Sequence, residues 1–210
     1  MATQSYSKPP YSPTRFPAGI TNANAGENLG NLGQPDPTKF ETFFEDFITP
    51  PAALGTFTAI AGPGGLATVA TTNAVDTPTA SFVLDPTKRF FFKARLSLAT
   101  VANTILVGFA NDLATVTGGV TVAIANNTLT LSIVGGASAG TDTATVVTAN
   151  TIPYEIGFDY TPNKYVTAYL NGNPVARLPA VAFSTANLVA GILPTGATAT
   201  VDYIFAAVER

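Results

Sequence analysis

The sequence lacks three residue types on which many functional sites depend: it contains no cysteine, no histidine and no tryptophan. Without cysteine the chain forms no disulfide and offers no thiolate. Without histidine it lacks the commonest general base and the commonest metal ligand in proteins. A Ser-His-Asp triad is therefore excluded, a zinc site is not expected, and we predict neither a cofactor nor a metal centre.

Charged residues are also few, at 11% of the chain, and ten basic against 13 acidic residues leave a net charge of −3. The basic residues cluster only at Lys88, Arg89, Lys93 and Arg95, and in an extended strand the last three share one face. Phosphate binding needs a wider positive field. We therefore interpret this face as solvated or partner-facing, and we expect no nucleic acid partner.

Long hydrophobic runs are missing as well. No stretch of 18 apolar residues occurs, so we expect no membrane partner. No basic start followed by an apolar stretch and a cleavage site occurs either, so we do not expect secretion through a signal peptide. The hydrophobic fraction of 46% comes instead with many threonine, alanine, valine and glycine residues. This composition suits β-strands and gives a weakly charged surface that can pack against other chains.

Residues 1–38 differ from the rest because six prolines interrupt them and their apolar residues are too sparse to bury a core. We predict an extended proline-, asparagine- and glycine-rich arm over residues 1–38 and a β-sandwich domain over residues 39–210. Tyr6, Tyr11 and Phe16 recur every five residues in the arm, where spaced rings can bind pockets of a partner. A disordered tail is the alternative interpretation of the same composition.

The stretch from Tyr154 to Leu178 carries the clearest strand pattern. Apolar and polar residues alternate over 154–160 and again over 165–170, which places one apolar face on each of two strands. Asn171-Gly172 then predicts a tight hairpin, because both residues tolerate positive φ. Since Pro174 cannot donate a ladder hydrogen bond, we expect the third strand of this meander to restart at about Val175.

Further strands are predicted on both sides of a second tight hairpin at Asn126-Asn127. Arg89–Leu98 is the longest, with its even positions facing inward, and Thr104–Ala110 is apolar on both faces and therefore central. Shorter strands are predicted at 66–72, 81–84, 143–148, 181–183, 188–193 and 200–205. About a dozen short strands without a convincing helix indicate an all-β, antiparallel, two-sheet sandwich.

The phenylalanine-rich run at 39–48 has two interpretations. Its rings stand at positions 40, 43, 44 and 47, a spacing typical of one face of a helix, but Thr49-Pro50-Pro51 ends the run at once. We interpret it as a strand.

The meander resembles the concanavalin A-like (laminin-G/glucanase-type) jelly roll. The resemblance lies in Ile156, Phe158 and Tyr160, then in Ala168-Tyr169-Leu170-Asn171-Gly172, and in the closing run 200–205. The run at 39–48 resembles the opening strand that phage structural proteins of this type often show. The resemblance implies a jelly-roll sandwich and a structural protein of a bacteriophage virion.

Acidic residues do not form a recognisable catalytic pattern. Glu41, Glu45 and Asp46 are candidate carboxylates, but glycosidases of the related glucanase type carry Glu-x-Asp-x-(x)-Glu on one strand, and that pattern is missing. Asp112 and Asp142 could supply oxygens to calcium, although a lone aspartate in a loop is more often a turn residue. We expect that the protein is not an enzyme.

These observations together predict a non-enzymatic virion protein on the capsid surface. We expect a capsid decoration (cement) protein that binds the major capsid protein or another virion protein through Tyr6, Tyr11 and Phe16 of its arm, and that forms a homo-oligomer. A head or tail fibre component is the alternative. A glycan-binding, lectin-like module is a further alternative, although no local constellation of residues in the sequence supports it.

Overall fold

The computed structural model describes residues 39–47, 54–60, 66–100, 104–146, 151–196 and 198–210. Every regular element named over these residues is a β-strand. In chain order the strands are β1 Phe40–Glu45, β2 Phe57–Ile60, β3 Leu66–Val69, β4 Val75–Asp76, β5 Phe90–Leu98, β6 Thr104–Ala110, β7 Gly119–Ala125, β8 Thr128–Val134, β9 Gly140–Thr145, β10 Tyr154–Thr161, β11 Tyr165–Leu170, β12 Asn173–Pro179, β13 Val189–Thr195 and β14 Ala199–Glu209.

The strands form two antiparallel sheets that pack face to face. The larger sheet has the order β12-β11-β10-β5-β14-β3-β2, and β1 pairs with the C-terminal half of β14. The smaller sheet has the order β9-β8-β7-β6-β13-β4. The predicted all-β sandwich of two antiparallel sheets is therefore confirmed. In the described part of the chain no helix is long and apolar enough to cross a membrane.

The core lies between the sheets and is filled by the inward residues of each strand. On β5 the even positions face inward as predicted, and Phe90 and Phe92 meet Phe109 of β6 at ring-centroid distances of 6.1 and 6.0 Å. Phe158 of β10 stacks on Phe92 at 5.9 Å. Edge and stacked contacts of this kind add to the free energy gained by burying the rings.

The predicted meander is confirmed, because β10, β11 and β12 are neighbours joined by short turns. Asn171 and Gly172 adopt φ angles of 50° and 78°, as a tight hairpin requires. The other predicted hairpin also forms, since Asn126 and Asn127 have φ angles of 48° and 59° between β7 and β8. Asparagine tolerates these left-handed angles better than most residues.

The predicted restart of the third strand at Val175 is wrong by two residues. β12 begins at Asn173 and includes Pro174, which pairs with Tyr169 beside a bulge. β12 is the edge strand of the larger sheet, so the missing N–H of Pro174 need not leave a ladder acceptor unpaired.

Two other predicted strands are not formed as strands. Phe82 makes one isolated bridge with Leu188, and the segment 181–183 has no strand structure. Phe82 and Phe183 are nevertheless buried in the core, so the apolar residues there reflect packing and not sheet pairing. Conversely, β2 and β4 are short strands that the pattern did not predict.

The run 39–48 is a strand over Phe40–Glu45, as interpreted, and β14 extends the predicted closing strand at both ends. Tyr6, Tyr11 and Phe16 of the predicted arm lie outside the described residues. The division of the chain at residue 38 therefore stays a prediction.

Candidate functional site

Five aromatic rings form a continuous row on the outer face of the larger sheet, away from the core. The row, called here the aromatic row, consists of Phe40 and Phe44 of β1, Phe91 of β5, and Tyr203 and Phe205 of β14. Successive ring centroids are 5.6 Å apart for Phe40–Phe91 and Phe91–Phe205, 6.2 Å for Phe205–Phe44 and 6.4 Å for Phe44–Tyr203. All five rings are in the range where aromatic pairs attract.

Strand alternation and one bulge create the row. The odd positions of β5 face outward, which places Phe91 beside Lys93 and Arg95. On β14 the inward residues are Ala199 and Val201 and then, after a register shift between Val201 and Tyr203, the even positions 204, 206 and 208. A bulge inserts one residue and so moves the following side chains to the opposite face. Tyr203 and Phe205 face outward for this reason.

Most of the row is covered, but one end is open. Phe40, Phe91 and Phe205 are buried together with Tyr169, whereas the side chain of Phe44 is 52% exposed. The outer face of a sandwich sheet is usually polar. An aromatic row that ends in an exposed phenylalanine is therefore a candidate interaction surface.

A charged network lies beside the row and neutralises part of the predicted basic face. Lys93 Nζ is 3.0 Å from Glu155 Oε2, and the hydroxyl of Tyr203 donates a short hydrogen bond to the same oxygen. Arg95 Nη1 is 2.8 Å from Asp202 Oδ2. Burial, followed by the bond to Glu155, raises the pKa of Tyr203 well above its usual range. The predicted shared face exists, but Lys93 and Arg95 on it are paired with carboxylates.

Asp159 is the most deeply buried charged group on the outer face, with 3% of the residue exposed. It stands on β10 opposite Phe91 of β5 and Thr167 of β11. Burial raises its pKa to about 7, although a hydrogen bond with Tyr169 and the charges of Arg177 and Arg89 act in the opposite direction. Within the described part of the chain its Oδ1 atom has no hydrogen-bond partner.

Glu155 and Asp159 share one face of β10, four residues apart, but they do not form an accessible pair of carboxylates for glycoside hydrolysis. Glycosidases hold two carboxyl groups roughly 5–10 Å apart across the scissile bond. Asp159 is buried, and both Lys93 and Tyr203 contact Oε2 of Glu155.

The acidic residues considered from sequence have structural contacts. The carboxylate of Glu45 accepts a hydrogen bond of 2.6 Å from the backbone N–H of Phe47, just after β1. Asp112 accepts one from the N–H of Ala114. Asp142 of β9 accepts one of 2.8 Å from the N–H of Arg177 on β12 and thereby links the edges of the two sheets. Among the described residues no group of three acidic residues could hold a metal ion.

A cleft of about 670 Å³ lies at the other end of the same sheet, where β5, β14 and β3 meet. Its polar walls include the Arg95–Asp202 ion pair and the hydroxyl groups of Ser97, Thr200 and Thr151. Leu66 contributes an apolar patch. The charged network thus stands between this cleft and the aromatic row.

Sequence reasoning missed the aromatic row. Phe91 could have been found, because it shares the odd positions of its strand with Lys93 and Arg95. Tyr203 and Phe205 could not, because the bulge that turns them outward leaves no mark in the local pattern.

No family model matches the sequence, and no curated protein matches it. Solved structures do resemble it. One is a protein of unknown function from Shewanella oneidensis MR-1, with a TM-score of 0.56 at 12% identity over 81% of this chain and 87% of that chain. Others are the laminarinase from Rhodothermus marinus, with a TM-score of 0.53 at 11% identity over 80% and 96%, and peanut lectin, with 0.55 at 8% over 82% and 98%.

The chain has the concanavalin A-like jelly-roll fold. At identities this low the likeness concerns the fold alone, because one fold supports many unrelated functions.

Proposed function

We propose that this protein is a non-enzymatic structural protein of a bacteriophage particle, bound to the capsid surface as a decoration protein. In this proposal residues 1–38 form an arm that attaches the jelly roll to the major capsid protein or to a neighbouring virion protein. Copies of the protein also contact one another in the assembly.

The observation that carries the proposal is the place where the N-terminal segment joins the domain. Lys39 directly precedes β1, and its carbonyl accepts a hydrogen bond of 2.8 Å from the N–H of Arg210. β1 pairs with β14 alone among the described strands and carries two rings of the aromatic row. The segment therefore leaves the sandwich beside an apolar outer surface, which is suited to protein contacts.

The absence of a suitable pair of catalytic carboxylates among the described residues also favours a structural role. The carboxylate of Glu45 accepts a hydrogen bond from the backbone N–H of Phe47, and Glu155 forms an ion pair with Lys93. The weakly charged surface fits extensive packing against other chains, because charged residues are depleted at the centres of protein interfaces.

We expect the triple substitution Tyr6→Ala, Tyr11→Ala and Phe16→Ala to lower the occupancy of this protein on purified particles at least tenfold. Each buried ring contributes about 1.5–3 kcal/mol by area, before the cost of ordering the arm. Copies per particle would be counted by mass spectrometry or by cryo-electron microscopy. The matched control replaces Ser5, Ser12 and Thr14 by alanine and should keep wild-type occupancy. The proposal would be contradicted if the triple alanine variant occupied particles as fully as the wild type. It would also be contradicted if the wild-type protein were found on no particle.

Glycan binding is the second candidate, and the cleft between β5, β14 and β3 favours it. An ion pair flanked by hydroxyl groups can exchange hydrogen bonds with sugar hydroxyls. Likeness in fold to a lectin and a laminarinase is compatible with this function. If it is correct, glycans should bind the wild type and bind Asp202→Asn more weakly, whereas the control Asp142→Asn should bind normally. A head or tail fibre component remains compatible with either role.

A further inference from the structure

The aromatic row lies on the outer face of the larger sheet, where side chains are usually polar. Phe44 of β1 packs on Tyr203 and Phe205 and is nevertheless 52% exposed. Lys93 and Glu155, which lie beside the row, form an ion pair. A segment that covers the open end of the row would bury the exposed aromatic surface of Phe44.

We propose that the N-terminal segment of the same chain docks on the open end of the aromatic row of its own domain, at Phe44, through its ring residues Tyr6, Tyr11 and Phe16. This interaction goes beyond attachment to a particle, because it takes place in the free protein. A capsid partner would then compete with the row for the same three rings.

The segment begins close enough to the aromatic row, and is long enough, to dock on it. It joins the domain at Lys39, next to Phe40, which is the first ring of the row. Phe16 stands about two dozen residues earlier, and a flexible chain of that length spans roughly 25–30 Å. The row extends about 13 Å along β1 from Phe40 to Phe44. The chain is therefore long enough for the rings of the segment to reach Phe44 at the open end of the row.

Prolines also favour docking of the segment. Pro9 and Pro10 stand between Tyr6 and Tyr11, and Pro13 stands between Tyr11 and Phe16. Because proline has already fixed φ, the segment loses less conformational entropy on docking than a glycine-rich chain would.

Tethering favours the chain's own segment over that of a second copy. A linker of this length gives an effective concentration in the millimolar range. A second copy at micromolar concentration competes poorly with it. We therefore infer that docking is intramolecular in dilute solution.

Because the chain contains no tryptophan, the fluorescence of a single introduced tryptophan reports the solvent exposure of that one position. Phe44→Trp puts the reporter in the row. Val181→Trp puts a matched reporter on another exposed apolar position, since Val181 is 62% exposed. Each tryptophan variant would be made in three versions of the full chain. The first has the wild-type segment, the second has the three rings replaced by alanine, and the third has the control substitutions at Ser5, Ser12 and Thr14.

We expect acrylamide to quench the tryptophan fluorescence of Phe44→Trp about twofold more strongly when the three rings are replaced. This difference should be the same at all protein concentrations between roughly 1 and 50 µM. Quenching should not change with the control substitutions, nor in the Val181→Trp chains. Equal quenching with and without the rings would overturn the proposal. Protection that appears only as concentration rises would overturn it too, because it would assign the row to a second copy. Neither result depends on a particle, so this test is separate from that of capsid attachment.

Discussion

Asp159 is a buried carboxyl group from which we expect a pH dependence of folding. Its carboxylate lies on an outer sheet face, yet it is buried beside Phe91 and Thr167. Tyr169, Arg177 and Arg89 stabilise the charged form, but burial outweighs them and the pKa rises to about 7. Desolvation of a carboxylate is costly unless all of its oxygens are paired.

We expect the stability of the protein to fall as the pH rises from about 4 to about 7. The folded state binds the Asp159 proton more tightly than the unfolded state does. The protonated carboxyl group therefore contributes its full stabilisation at pH values below the unfolded pKa, and this contribution is lost as the pH rises through the folded pKa. The difference between 3.8 and about 7 corresponds to roughly 4 kcal/mol as an upper limit.

Asp159→Asn should remove this part of the pH dependence and should be more stable than the wild type at pH 8. Tyr169→Phe should move the loss of stability to higher pH, because the tyrosine hydrogen bond lowers the pKa of Asp159. Urea unfolding of all three proteins at several pH values is the measurement. If the free energy of unfolding of Asp159→Asn falls with pH as steeply as that of the wild type, the pH dependence comes from other groups.

At the scale of the element, β6 shows why a central strand contains a glycine. Gly108 has φ of +141°, which residues with a side chain rarely adopt. A Cβ atom there would lie 2.4 Å from the carbonyl oxygen of Val120 on β7 and 3.1 Å from the ring of Phe158 across the core. The glycine thus permits both the pairing of β6 with β7 and the packing of the two sheets.

Gly108→Ala should destabilise the domain by about 2–4 kcal/mol, because both backbone strain and overpacking oppose the new methyl group. Gly140→Ala on β9 is the matched control, since a Cβ atom there would meet only contacts of 3.9 Å. It should change stability by less than about 0.5 kcal/mol. Denaturant unfolding measures both, and equal stability of the two variants would contradict the prediction.

At the scale of the whole molecule, the two sheets bury one extended core, whose described members lie between residues 47 and 208. The ladder hydrogen bonds of β1 are made with β14. Described residues thus form both sheets and the core between them.

Deleting residues 1–36 should leave a folded domain whose thermal midpoint lies within a few degrees of that of the full chain. Docking of the segment on the aromatic row would add on the order of 1 kcal/mol, which shifts the midpoint by about 2–4 °C in a domain of this size. Circular dichroism on heating checks this. Aggregation or a loss of cooperative unfolding would show that the segment is part of the core.

The sequence by itself determined the strands and turns whose signals are local. Alternation over 154–160 placed Ile156 and Phe158 in the core, and Asn171-Gly172 defined a hairpin, because side-chain direction and positive φ depend on a few neighbouring residues. The fold class followed from the number of such strands. The same reasoning failed at 81–84 and 181–183, where apolar residues fill the core from segments that form no strand.

Only the tertiary structure decided which surfaces the strands present together. β5 lies between β10 and β14, strands far from it in the chain, and this pairing brings Phe91 to Phe205 and Lys93 to Glu155. The bulge in β14 turned Tyr203 outward, and crowding by neighbouring strands buried Asp159. The physical reason is that periodicity is a property of one strand, whereas pairing, bulges and burial depend on the free energy of packing between distant segments.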